Sequence, residues 1–152
     1  MIVSAMPTIG KTTLSKSNHN VIDLDSGLFN DIKTNPNWIY TYCKIALYLE
    51  RRGYVVMVSF NEHIHQYLKE RAQNYLMIAY DLSLKDYCLD KINQRLNDTE
   101  RNWSLRTINW VINNFDTIVT RATEIAKEND INLILIDDPN YNLEEIIKSF
   151  ER

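Results

Sequence analysis

Glycine and proline are scarce in this chain, three of each among 152 residues. The sequence accordingly holds no flexible linker, low-complexity tract or internal repeat that would divide it, and residues 1–152 are expected to form one domain. Cysteine is scarcer still. Cys43 and Cys88 lie far apart, each within a helical pattern and without a C-x-x-C spacing or a histidine partner, so reduced, packed thiols are expected rather than a disulfide or a metal site. No apolar run approaches the roughly 20 residues of a membrane span, and the opening residues lack the basic segment and longer apolar stretch of a secretion signal. A cytoplasmic location with no membrane partner is the expectation. Neither charge dominates: the formal net charge of −3 gives no global basic field for nucleic acid and leaves only a local basic groove. With 45% hydrophobic and 24% charged residues, the composition is that of an ordinary globular core.

What is present begins at the first strand. Ile2 and Val3 lead through Ser4, Ala5, Met6, Pro7, Thr8 and Ile9 into Gly10-Lys11-Thr12-Thr13, the spacing of a strand, a phosphate loop and a helix start. Gly10 lets the backbone turn with no side chain beneath the phosphates, so that successive N–H groups point into an anion site at a helix N-terminus. Lys11 then reaches the β- and γ-phosphates, and the Thr12 hydroxyl is placed for Mg²⁺. Pro7, Thr8, Ile9, Gly10, Lys11, Thr12 and Thr13 are therefore the candidate nucleotide-binding residues. The usual pattern is G-x-x-x-x-G-K-[ST], and here Ala5 stands in place of its first glycine. An alanine is tolerated there if its φ is negative, because it sits at the strand end and not inside the cradle.

Farther along, hydrophobic periodicity alternates between helix and strand. A short helix from Lys11 to about Ser17 is followed by a strand, Val21-Ile22-Asp23-Leu24, that runs into Asp25-Ser26-Gly27; a strand this soon after the first helix makes a βαβ unit and hence a parallel sheet. Asn35-Pro36 reads as N-cap and first residue of a helix that stops at Gly53. The continuous apolar run Tyr54–Phe60 is the candidate central strand, covered on both faces. A helix over about 62–73, a strand over 75–80, and a helix opened by Ser83 with Asp86 and running to about Leu96 come next. A long helix from about Asn102 to Glu128, a strand over Asn132–Asp137 and a short helix capped by Asn142 with Glu145 complete the pattern. The fold class is thus α/β: a three-layer sandwich with a five-stranded parallel sheet in the order 2-3-1-4-5, helices on both faces and a short helical lid. No heptad or leftover apolar stripe specifies an oligomeric state.

Several constellations carry possible chemistry. Asp23 and Asp25 are separated by one residue, so in an extended strand end they project to the same side, beyond the C-terminal edge of the sheet where ligands bind. One carboxylate can support a Mg²⁺ hydration shell or Lys11 while the other accepts a proton from, or orients, an attacking hydroxyl; a solvated acidic turn is the plainer reading. The run Leu133–Asp138 has the look of a magnesium-binding strand, but it falls on an edge strand rather than beside the first, so Asp137 and Asp138 are placed at a loop near the nucleotide base. Ser59 ends the neighbouring strand and is a candidate for a hydrogen bond to phosphate or metal-bound water. Lys91, Arg95, Arg101 and Arg106 surround a charged excursion over about 91–106, and phosphoryl transfer needs cations that close over the transferring group and exclude water. A charged helix surface balanced by Asp90, Asp98 and Glu100 is the alternative. His63 and His65 are two apart on a helix, face different directions and are expected at the surface.

With VSAMPTIGKTTL, IDLDSGLF, the VVMVS strand and the long helix after a charged lid in view, the chain resembles the small P-loop kinases of the nucleoside monophosphate kinase fold, particularly those encoded by bacteriophages. Within that group it is most similar to kinases that phosphorylate 5-hydroxymethyluracil in DNA and to deoxynucleoside monophosphate kinases. Their Asp-Ser-Asp-Ser segment is represented by Asp23-Leu24-Asp25-Ser26, and their Ser-Ser-His by Ser59-Phe60-Asn61. The resemblance implies ATP and Mg²⁺ as cofactors and a nucleotide acceptor, free or as a modified base within DNA. It also implies roles: Lys11 and the loop amides hold ATP, Thr12 and Asp23 serve the metal, Asp25 positions the acceptor, and Arg95 and Arg101 close from the lid. A nucleotide-binding regulatory protein without transfer and a diverged, inactive relative remain as alternatives.

Overall fold

The computed structural model describes residues 1–96 and 105–150. Five strands, β1 (Ile2–Ala5), β2 (Val21–Leu24), β3 (Val55–Val58), β4 (Tyr75–Tyr80) and β5 (Asn132–Ile136), form one sheet in the order β2-β3-β1-β4-β5. Every pairing is parallel, with Ile2 opposite Val56 on one side and Tyr75 on the other. This is the expected order, and it places β3 beside β1 and β5 at an edge. Helices α1 (Lys11–Ser17), α2 (Trp38–Arg51), α3 (Glu62–Leu68), α4 (Lys85–Leu96), α5 (Leu105–Glu128) and α6 (Leu143–Phe150) connect and cover the strands.

Strand alternation divides the core in two. Val3, Ala5, Met57 and Ile78 pack with Leu14 of α1, Cys88 and Ile92 of α4, the first half of α5 and Ile147 of α6. Ile2, Val56, Val58 and Met77 pack with Tyr42, Cys43 and Ala46 of α2, Ile64 and Leu68 of α3, and the C-terminal part of α5. All six residues of β4 are buried, as is expected of a strand covered on both faces. Cys43 and Cys88 are free and buried, and burial pushes the Cys43 thiol up to about 12.

Local capping chemistry moves several boundaries. Helix α2 begins at Trp38 with Asn37 at its N-cap, because the Asn35 side chain accepts from the Asn37 amide at 2.9 Å and closes a turn before the helix starts. Helix α4 is opened by Asp81, not by Ser83: the Asp81 carboxylate accepts from the Ser83 amide at 2.9 Å and starts a 3-10 turn, Leu82–Leu84, that feeds the helix. Asn142 caps α6 as expected, accepting from Glu144 and Glu145. The regular stripe of α5 conceals a kink at Asn114 (φ −124°), whose side-chain amide donates to the Trp110 carbonyl at 2.7 Å and competes with the helix ladder. A 3-10 segment, Ser26–Ile32, follows β2.

Beyond the last paired residues of β2 and β3, Leu24 and Val58, a side chain takes over from the ladder. The Tyr42 hydroxyl donates to the Leu24 carbonyl at 2.6 Å and accepts from the Ser59 amide at 2.9 Å. His65 is not at the surface. It is 1% exposed, edge-on to Phe60 and Tyr75, with Nδ1 2.5 Å from the Tyr75 hydroxyl, and desolvation lowers its pKa from 6.5 to about 4. A helix spacing that turns His63 to solvent necessarily turns its neighbour two positions on toward the sheet.

Candidate functional site

The site forms where β1 ends and α1 begins. Ala5 is the last residue of β1, in register with Ile78, so its conformation is that of an ordinary strand and the missing first glycine carries no backbone strain. The turn is made farther on. Thr8 has φ 70° and Gly10, the N-cap of α1, has φ 108°; the first is tolerable for an L-residue at some cost, and the second favours glycine. The amides of the first turn of α1 have no partners inside the helix and face the loop.

Lys11 folds back over this loop. Its Nζ donates to the Ala5 carbonyl at 2.6 Å and to the Met6 carbonyl at 3.4 Å. Desolvation lowers its pKa from 10.5 to about 8, against the carboxylates of Asp23 and Asp25, which raise it, and with the Arg95 guanidinium, which lowers it further. The charges felt at Lys11 thus come from Asp23 in β2, from Asp25 just beyond it and from Arg95 of α4. Thr12 donates from its hydroxyl to Asp23 Oδ2 at 2.6 Å. The second oxygen, Asp23 Oδ1, is buried and has no hydrogen-bond partner among the described residues. An orphaned carboxylate oxygen beside a hydroxyl is a fitting half-shell for a hard cation that keeps several waters. Among the described residues no three His, Cys, Asp or Glu side chains cluster as a protein-only metal cage, and a Mg²⁺ held chiefly by phosphates and water does not need one.

Asp25 is exposed and accepts from the Gly27 amide at 2.8 Å, which caps the 3-10 segment and fixes the carboxylate at the mouth of the site. Ser59, a candidate for phosphate contact, instead accepts from the Ser26 amide at 3.3 Å and ties that segment to the end of β3. Asp137 and Asp138 lie exposed just after β5. Lys91 and Arg95 lie on α4, whereas Arg101, Trp103 and the remainder of the 97–104 stretch lie outside the described residues.

A second layer behind the loop is absent from the sequence reading. The Tyr141 hydroxyl, from the segment between β5 and α6, donates to the Ile9 carbonyl at 2.9 Å and lies 3.1 Å from the Tyr80 hydroxyl. Thr8 donates to Tyr80 at 3.3 Å. Lys91 reaches the Tyr141 hydroxyl at 3.3 Å and sits over the rings of Tyr87 and Tyr141. The positive-φ loop residue Thr8 is thereby held from the side by the tyrosine at the end of β4, which is itself held by a second tyrosine 61 residues later that also takes the next loop carbonyl. The sequence offers a tyrosine at the end of a strand and another in the loop before the last helix, and neither carries a local pattern that ties it to the phosphate-loop stretch. A groove of about 280 Å³ lined by Leu82, Val119, Thr123 and Leu135 shares no residue with the loop. Among the described residues no helix is long and apolar enough to cross a membrane. In comparisons with known proteins, no family model matches this chain and no curated protein matches it.

Proposed function

We propose that this protein is an ATP- and Mg²⁺-dependent kinase that transfers the γ-phosphoryl group to a nucleotide acceptor, free or within DNA. The observation that carries this reading is the meeting, at the turn between β1 and α1, of Lys11 on the loop carbonyls with the Thr12–Asp23 pair and its orphaned oxygen; the charges of Asp25 and Arg95 also reach Lys11. Loop amides and Lys11 bind the β- and γ-phosphates. Thr12 and Asp23 would hold a Mg²⁺ ion, which would offset phosphate charge. An acceptor oxygen attacks the γ-phosphorus, a hydroxyl giving its proton to Asp25 and an already ionised phosphate having none to give, and forms the new P–O bond as the bond to the bridging β–γ oxygen breaks and ADP departs. Arg95 supplies charge to the transferring group from the lid side. Its long-range influence at Lys11 supports that placement.

Incubation with γ-labelled ATP, Mg²⁺ and a panel of deoxynucleoside monophosphates and base-modified DNA tests the reading. Label is expected on one acceptor class, and Asp25→Asn is expected to lose transfer while retaining ATP binding. ATP binding without transfer to any acceptor would overturn the kinase and favour a nucleotide-binding regulatory protein. That second reading draws on β3, which ends in Ser59-Phe60-Asn61 with Ser59 already engaged by Ser26 and no carboxylate before Glu62.

A further inference from the structure

The overall charge conceals an uneven distribution. Between Ser26 and Asn74 there are six cations, Lys33, Lys44, Arg51, Arg52, Lys69 and Arg71, against four carboxylates. Of the four, Glu50 is buried on the amides of Gln73 and Asn74, and Glu62 is paired with Arg121 at 2.6 Å. Asp31 is exposed, and Glu70 lies 3.5 Å from Arg71 in an exposed pair that a phosphate would have to displace; six cations against these two carboxylates still leave the exposed remainder of the region basic, and the chain's negative excess lies elsewhere.

Aromatic rings are interleaved with these cations in a definite order. Tyr40, Lys44, Tyr48 and Arg52 follow one another at intervals of four along α2 and its C-cap, so they form one stripe on its surface. Lys44 Nζ lies 4.4 Å from the Tyr40 ring centroid, and the Arg52 guanidinium 5.7 Å from that of Tyr48. Beside the stripe, Tyr67 of α3 meets Tyr40 edge-on at 5.6 Å and carries the Arg71 guanidinium at 4.3 Å. Tyr40 is 46% exposed and Tyr48 58%. The N-terminal end of α2, where the stripe begins, packs on the segment after Asp25 through Phe29 and Tyr42, 5.1 Å apart.

We infer that this α2–α3 face binds single-stranded nucleic acid, with unpaired bases stacking on Tyr40 and Tyr48 and phosphates meeting Lys44, Arg52 and Arg71. Exposed rings alternating with cations supply both halves of such a site: π faces that accept any base and charges that track a backbone. A duplex, whose bases are already stacked, has no use for the rings. A membrane surface would call for a continuous apolar face opposite the cations, not tyrosine and lysine taking turns along one stripe. The site does not depend on phosphoryl transfer.

Fluorescence anisotropy of a labelled oligothymidylate, measured without ATP at low salt, tests it. Saturable binding is expected, weakening as salt rises, with the duplex of equal length binding more weakly. The double variant Tyr40→Ala/Tyr48→Ala is expected to weaken binding about tenfold or more, and Lys44→Gln to reduce the salt slope by about 0.7. Trp110→Ala, which removes an exposed aromatic of α5, is expected to bind like the wild type. No saturable binding, equal affinity for the duplex, wild-type affinity in the tyrosine double variant, or capture by phosphatidylserine vesicles without oligonucleotide binding would each overturn the inference. Transfer to free nucleotides with no oligonucleotide binding would remove this site and leave the kinase reading in place; oligonucleotide binding without transfer would do the reverse.

Discussion

Replacing Lys11 with methionine is expected to strengthen the nucleotide-free protein and to abolish nucleotide binding. The ammonium is desolvated against the Ala5 and Met6 carbonyls, and its pKa falls from 10.5 to about 8. At about 1.4 kcal/mol for each tenfold in proton affinity, that lowering places about 3 kcal/mol on the charged form. The residue is partly exposed and the two carbonyls lose a donor, so the gain for Lys11→Met near pH 7 is about 1 to 2 kcal/mol. The sign with pH follows from proton counting. The unfolded chain keeps this proton up to the ordinary value of 10.5, whereas the folded chain releases it near pH 8. Unfolding therefore takes up a proton between those values, and wild-type stability climbs with pH across that window. The advantage of the variant is largest below pH 8 and shrinks toward pH 10.5. Urea unfolding followed by circular dichroism across this range measures the difference, and ATP·Mg²⁺ should stabilise the wild type alone. A variant no more stable than the wild type near pH 7, or an advantage that does not shrink with rising pH, would refute the reasoning.

Tyr141→Phe removes the donor to the Ile9 carbonyl and is expected to weaken ATP·Mg²⁺ binding by about 1 kcal/mol; an unchanged Kd by titration calorimetry would show that the loop holds its shape without it. The His65 pKa of about 4 in the folded chain lies below its ordinary 6.5, so unfolding takes up a proton in that interval and stability falls as pH drops through it, by about 3 kcal/mol. His65→Gln should flatten this acid limb in denaturant titrations, and an unaltered limb would assign the loss to other groups. Gly10→Ala places a side chain at φ 108°; although its Cβ would meet no atom within 4 Å, the backbone conformation alone is expected to cost about 1 to 2 kcal/mol, read from the urea midpoint. Equal stability would mean that the loop relaxes to a negative φ.

The sheet was legible because its signals are local. Apolar runs mark the strands, most plainly the one bounded by Gly53 and Asn61, and one short helix between the first two suffices to call for parallel order. The turn from β1 into α1 was legible for the same reason, since Gly10, Lys11 and Thr12 are adjacent in the chain. Asp23 and Asp25 came with it through simple strand alternation. What escaped depends on contacts between distant segments. In the sequence Tyr80 reads only as the end of a strand and Tyr141 is not singled out, and only the folded chain brings their hydroxyls to Thr8 and Ile9. Ser83 competed with Asp81 for the start of α4, and the carboxylate prevailed as the stronger acceptor for a backbone amide. His65 looked polar, but Tyr75 and Phe60 supplied a partner and a lining that no window of sequence displays.

The Tyr42 hydroxyl occupies the place where one more rung between β2 and β3 would have formed, taking the Leu24 carbonyl on one side and the Ser59 amide on the other. The sheet forks there at a fixed width, with a phenol as the wedge. Because that phenol belongs to α2, the helix is a lever whose short arm ends in the fork. The position of α2 and the spacing between the Asp25 segment and the end of β3 are thus joined through two hydrogen bonds on one oxygen.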